Sequence, residues 1–172
     1  MDSNADFPLP LQEAVRDLLG DLLSRGCAVD KATEPLAFSA EVPAVVVTYR
    51  TEDGVIAGVV LADLPLACRA GSALVMMPSN VAEEAIASEE LDGDMQDCFN
   101  EVANVLARLL NSADTPHVKL DRTYRVGELI PGPARALLRG DRCRRRDYVV
   151  SIEEYGEGRL TIISRQRAAL AA

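Results

Sequence analysis

Two β-branched runs sit close together in the first third of this chain. VPAVVVTYR (42–50) and VIAGVVLA (55–62) flank Glu52-Asp53-Gly54, a hairpin signal between two strands. A second pair, RRDYVVSIEE (145–154) and RLTIISR (159–165), reads as another hairpin across Gly156-Glu157-Gly158. LAFSA (36–40) and HVKLDRTYR (117–125) read as further strands. A chain so built must fold around a sheet.

Between these runs the apolar spacing turns helical. Leu11, Val15, Leu18, Leu19 and Leu22 place a helix over Pro10 to Arg25, with Gly26 as its C-terminal cap. Asp63 caps a helix over 64–76, Pro65 being tolerated in its first turn. Pro78 ends that helix, and Asn80 to Glu83 resembles a capping box that starts another. A long helix runs from about Asp92 to Asn111, and PGPARALLRG (131–140) forms a short one. The fold class is α+β (mixed α/β). The 172 residues make one domain, 1–172, with 1–8 and 166–172 as loose termini.

Composition narrows the chemistry. The chain holds one histidine, His117, read as structural or surface, so no His-rich zinc site is available. Cys27, Cys68, Cys98 and Cys143 form no C-x-x-C pair and are expected as core thiols of a cytoplasmic protein. No metal site and no bound cofactor are expected of this chain. Met76 and Met77 are expected to pack, and Gly156 and Gly158 to turn the chain rather than bind phosphate. The acidic N-terminus is not expected to act as a signal peptide, which needs positive charge, and no apolar run approaches the ~20 residues that span a membrane.

The net charge of −9 is unevenly spread. Residues 1–112 carry six Lys/Arg against nineteen Asp/Glu, a net of −13; residues 113–172 carry twelve against eight, a net of +4. Such a body repels a phosphate backbone, so nucleic acid is not an expected partner. The basic cluster Arg142, Arg144, Arg145 and Arg146 reads as a charged edge strand, with docking of an acidic partner or of the acidic half of a second subunit as the next reading and nucleic acid as a distant third.

The long helix carries the chemical signal. At 100° per residue, Met95, Cys98, Phe99, Val102, Val105, Leu106, Leu109 and Leu110 share one arc, the buried face. Asp97, Glu101, Asn104 and Arg108 fall together opposite it, with Glu101 and Asn104 three residues apart and pointing the same way. On spacing alone, this is a solvated face with Arg108 offsetting the acids. The string D-x-x-x-E-x-x-N (Asp97, Glu101, Asn104) resembles the signature of the CheC/CheX family of chemotaxis phosphatases. LQEAVRDLLGDLL is similar to that family's first helix, VIAGVVLA to its Gly-containing strand, and Asp63 to Pro78 to the helix that follows. The likeness runs over residues 9–165 in element order and is specific over 55–111.

The resemblance implies a CheC/CheX-like fold, a mostly antiparallel sheet packed against long helices. It also implies a catalytic pair, Glu101 and Asn104, that hydrolyses the phosphoaspartate of a CheY-like receiver domain. The Mg2+ would be supplied by that partner. Glu13 and Arg16 stand where some members carry a second E-x-x-N, which leaves one site, the CheX arrangement, and with it an edge-to-edge homodimer. The family's proline beyond the Asn has no match in place, since Pro116 comes early and Pro131 late. The alternative is a non-catalytic module of the same fold that binds a receiver or a flagellar switch protein.

Overall fold

The computed structural model describes residues 6–39, 44–125 and 127–166. Its six strands are β1 (Cys27–Lys31), β2 (Ala44–Thr51), β3 (Ile56–Asp63), β4 (Val118–Tyr124), β5 (Cys143–Ile152) and β6 (Gly156–Arg165). They form one sheet in the order β1-β5-β6-β3-β2-β4, and every pairing is antiparallel. The helices are α1 (Gln12–Leu23), α2 (Leu64–Leu74), α3 (Ser79–Ala87), α4 (Gly93–Leu106) and α5 (Gly132–Leu138). The α+β expectation is met.

The two faces of the sheet are covered unequally. Val15 and Leu19 of α1, Leu66 and Ala70 of α2, and Phe99 and Val102 of α4 share a core with Val45, Val47, Ala62, Val150 and Ile162. On the other face Ala134 and Leu137 of α5 pack on Val46, Val59, Leu61 and Ile163. β2 and β3 are therefore buried on both sides, which is why they read as nearly unbroken apolar runs rather than alternating ones. α3 stands outside this stack, with Ala82 against Leu64, Cys68 and Met95.

The first hairpin turns where Asp53 and Gly54 place it. The second turns earlier than expected, through Glu153 to Tyr155, because Ile152 already pairs with Gly156. Gly156 and Gly158 thus belong to β6. Gly158 has a separate reason to lack a side chain: a Cβ there would lie 2.5 Å from the Leu66 backbone, where α2 rests on the strand.

Several local expectations are corrected. LAFSA forms no strand over its described residues; the edge strand beside β5 is β1, which is short and has one buried side chain, Val29. Gly26 does not cap α1. Ser24 takes the left-handed conformation at φ 50°, and Gly26 instead bonds Glu153 through its N–H at 3.2 Å and its carbonyl at 2.9 Å. Asn80 heads no capping box: Pro78 is the N-cap of α3, and the Asn80 amide donates to Glu84 one turn on. Asp63 does cap α2, accepting from Leu66 N at 2.8 Å, although that helix ends at Leu74. Met76, at φ 56° and 78% exposed, does not pack. Of the cysteines only Cys68 is buried, and all four are free thiols. Phe7 lies in the expected loose lead-in yet is fully buried, its N–H bonded to the Arg165 carbonyl. Residues 1–5 and 167–172 lie outside the described residues.

β5 lies between β1 and β6, but β1 reaches only Tyr148–Ile152, so the half of β5 that carries Arg144, Arg145 and Arg146 pairs with β6 alone and is an open strand edge, as expected. Arg145 places both arms on Asp147 and donates to the Leu36 carbonyl at 2.7 Å. Arg146 donates to the carbonyls of Leu9 and Pro10. Two of the four arginines therefore clamp crossing chain segments, while Arg142 and Arg144 are exposed.

Asp147 also accepts from Thr161 Oγ1 at 2.6 Å and from Leu36 N at 3.2 Å. Partial burial pushes its carboxyl up, but the Arg145, Thr161 and Leu36 donors outweigh it and hold the pKa below the ordinary 3.8. A lowered folded-state pKa gives stability that is present at neutral pH and lost as pH falls through that lowered value. Asp147→Asn is expected to lower the urea midpoint at pH 7. Its difference from wild type should close in strong acid, and an unchanged difference at low pH would contradict the ion-pair account.

Candidate functional site

α4 begins where Asp92 accepts from Met95 N at 2.8 Å, a side-chain cap on the first free backbone donors. Asp94 adds a carboxylate to the first turn, where the helix dipole favours it. Met95, Phe99, Val102 and Leu106 are buried as the apolar arc requires, while Cys98, Val105 and Leu109 are half-buried. Gln96 and Ala103 are buried as well, so the covered face is wider than the arc and rotated toward them. The cause is packing on two sides, against α2 and against the sheet.

Two contacts fix the helix on the sheet. The Tyr49 hydroxyl, fully buried in β2, donates to the Ala103 carbonyl at 2.7 Å. Gly71 of α2 faces Met95 and Cys98, which brings the two helices close. Gln96 donates to Asn100 at 3.1 Å, but its Oε1 has no partner. The helix does not continue to Asn111. It tightens into a 3-10 turn over Ala107–Leu110, and Asn111 closes it from outside.

Asn111 is a clamp that the periodicity did not reveal. Its amide donates to the carbonyls of Ala107 at 2.9 Å and Val118 at 2.8 Å, and its Oδ1 accepts from Val118 N at 2.8 Å. One side chain thus joins the end of the helix to the start of β4. Asn111→Ala is expected to cost about 2 kcal/mol, because three partly buried backbone groups lose a partner together. Denaturant titration measures it, and a loss near zero would remove the clamp from the account.

Asp97, Glu101, Asn104 and Arg108 are all exposed on the outer side of α4. No hydrogen bond or ion pair engages the Glu101 carboxylate or the Asn104 amide among the described residues. Burial pushes the Cys98 thiol up, and the carboxylates of Asp94, Asp97 and Asp92 push the same way. The N-terminal half of the helix is therefore a negative shoulder, and Arg108 is the first cation beyond it. His117 is exposed, at the mouth of β4. Among the described residues no group of three or more His, Cys, Asp or Glu could hold a metal ion, and no helix is long and apolar enough to cross a membrane.

No family model and no curated protein matches the chain. Solved structures do. The middle domain of FliM from H. pylori gives a TM-score of 0.62 at 8% identity, covering 90% of this chain and 84% of that one. A FliM–SpeE complex from H. pylori gives 0.60 at 8% identity, over 90% and 81%. The chain has the CheC/CheX fold. FliY of Thermotoga maritima, at 0.54 and 13% identity over 90% and 89%, shares it. At these identities the likeness is one of fold. Within the CheC/CheX fold, the helix bearing Glu101 and Asn104 lies on the three-helix face of the sheet with its polar side outward.

Proposed function

We propose that the chain dephosphorylates a phosphorylated receiver domain in chemotaxis or related two-component signalling, with Glu101 and Asn104 inserted into the partner's active site. The observation that carries this reading is their geometry. A carboxylate and an amide stand three residues apart, exposed and unengaged, on a helix held rigidly from behind by Tyr49 and Asn111.

Hydrolysis of an aspartyl phosphate needs a water placed in line with the carboxylate that leaves. The water oxygen bonds to phosphorus, the phosphorus–aspartyl oxygen bond breaks, and inorganic phosphate departs. Positioning and charge stabilisation supply most of the acceleration in such transfers. The Asn104 amide can accept from the water through its oxygen while donating to it or to the phosphoryl group through its nitrogen. Glu101 is repelled by the phosphoryl group and suited instead to pair with a lysine of the receiver. In this reading the receiver supplies both Mg2+ and the phosphoaspartate, and this chain supplies only the carboxylate and the amide.

A second reading, an interaction module without hydrolysis, is favoured by the likeness to FliM, one of whose matching structures is a complex with SpeE. One assay separates the two. A receiver charged with acetyl phosphate is followed for phosphate release with and without the chain. Faster release supports catalysis. A stable complex with unchanged phosphate lifetime overturns it in favour of the module.

A further inference from the structure

We propose that the face of the sheet away from α4 carries a second site, a cationic groove that binds an acidic peptide segment of a partner protein, with an apolar side chain of that segment seated on Phe38 and Leu138. The groove has a volume of about 420 Å3 and runs between the 35–38 segment and α5, with Leu61 lining it from the sheet. It is distinct from the Glu101–Asn104 face and does not depend on the reading of that face.

The charges there are free. Arg135 and Arg139 lie one helical turn apart along α5 and its C-cap, both exposed, and neither has a carboxylate partner among the described residues. Arg145 also lines the groove, but its fork is occupied by Asp147. Its role is architectural: it donates to the Leu36 carbonyl while Leu36 N donates to Asp147, so the 35–38 wall is tied to β5. Arg142 and Arg165 line a cleft on the other side of α5 together with one carboxylate, Asp141, so the lining there is net positive by one charge.

The wall presents an apolar surface that the fold itself leaves open. Phe38 is 45% exposed, an aromatic ring beside two unneutralised guanidinium groups. Guanidinium forks match carboxylates in a paired, planar geometry, and a ring with a neighbouring aliphatic side chain gives an anchor. The occupant is then a short segment with carboxylates flanking a Leu or Phe. Nucleic acid fits less well, because a long phosphate backbone would feel the net −9 of the whole chain, whereas a short peptide feels mainly the local patch.

The test uses a fluorescein-labelled Glu-Glu-Leu-Phe-Glu-Glu peptide and the full chain in fluorescence anisotropy. Saturable binding is expected that weakens about tenfold in the Arg135→Glu, Arg139→Glu variant and with rising salt. Phe38→Ala should weaken it about fivefold, the loss of one apolar anchor. The Glu101→Ala, Asn104→Ala variant should bind as wild type does. A Lys-for-Glu version of the peptide should prefer the charge-reversed variant, which shows that variant to be folded and the pairing to be electrostatic. Three results would overturn the proposal: no saturable binding, equal binding by the folded charge-reversed variant, or displacement of the peptide by an oligothymidylate of equal charge as readily as by unlabelled peptide.

Discussion

Replacing Glu101 and Asn104 together by alanine is expected to return the phosphate lifetime of a charged receiver to its value without the chain. The loss should be on the order of a hundredfold, the scale on which a single positioned polar group acts in transfer reactions. The two single variants should differ. Asn104→Ala removes the group that holds water, and should lower the maximal rate while complex formation persists. Glu101→Ala removes the contact to the partner's lysine, and should raise the concentration of chain needed for half-maximal rate. Both side chains are exposed, so neither change should move the denaturation midpoint. Full activity in the double variant would reduce the pair to a solvated helix face.

Gly158→Ala is expected to be the most destabilising single methyl in the fold. The added Cβ would meet the backbone N and Cα of Leu66 at 2.5 Å, and backbone atoms cannot rotate away as a side chain can. Either α2 lifts from β6 or β6 bends, and the first of these also shifts α4, which packs on α2. A loss of about 3 kcal/mol is expected from overpacking of this kind. Gly93→Ala and Gly132→Ala are the controls, since nothing lies within 4 Å of a Cβ at either position. Urea titration of the three variants decides it; equal midpoints would mean that the close approach of helix and strand is readily relaxed. Gly58, where a Cβ would meet the Ile163 carbonyl and Leu110 at 2.8 Å, marks a second close approach.

The helical and strand periods were legible because each is a local property of consecutive side chains. Val15 and Leu19 on α1, and the polar face of Asp97, Glu101, Asn104 and Arg108 on α4, lie where spacing puts them. Ends of elements were less legible, because a cap depends on which backbone group is left over after packing. Gly26 looked like a terminator and serves as a partner of Glu153, while Ser24 takes the left-handed turn. The same holds for Asn111, an ordinary helix-ending residue in sequence whose three bonds depend on β4 arriving beside it. For the candidate site, the pair itself was legible from spacing and resemblance. The Tyr49 bond that holds its helix was not, since 54 positions separate Tyr49 from Ala103.

Sequence by itself determined the α+β class, both hairpins and an outward carboxylate–amide pair on one helix, because all of these follow from periodicity and turn chemistry within a few residues. Only the tertiary structure decided the strand order and brought the segments at Leu9-Pro10 and Leu36 across the open half of β5, where two of its arginines become clamps. It alone separated the arginines spent on the fold from Arg135 and Arg139, which have no carboxylate partner among the described residues. Charge along a chain is a sum, whereas what a charge can bind depends on which neighbours folding brings to it.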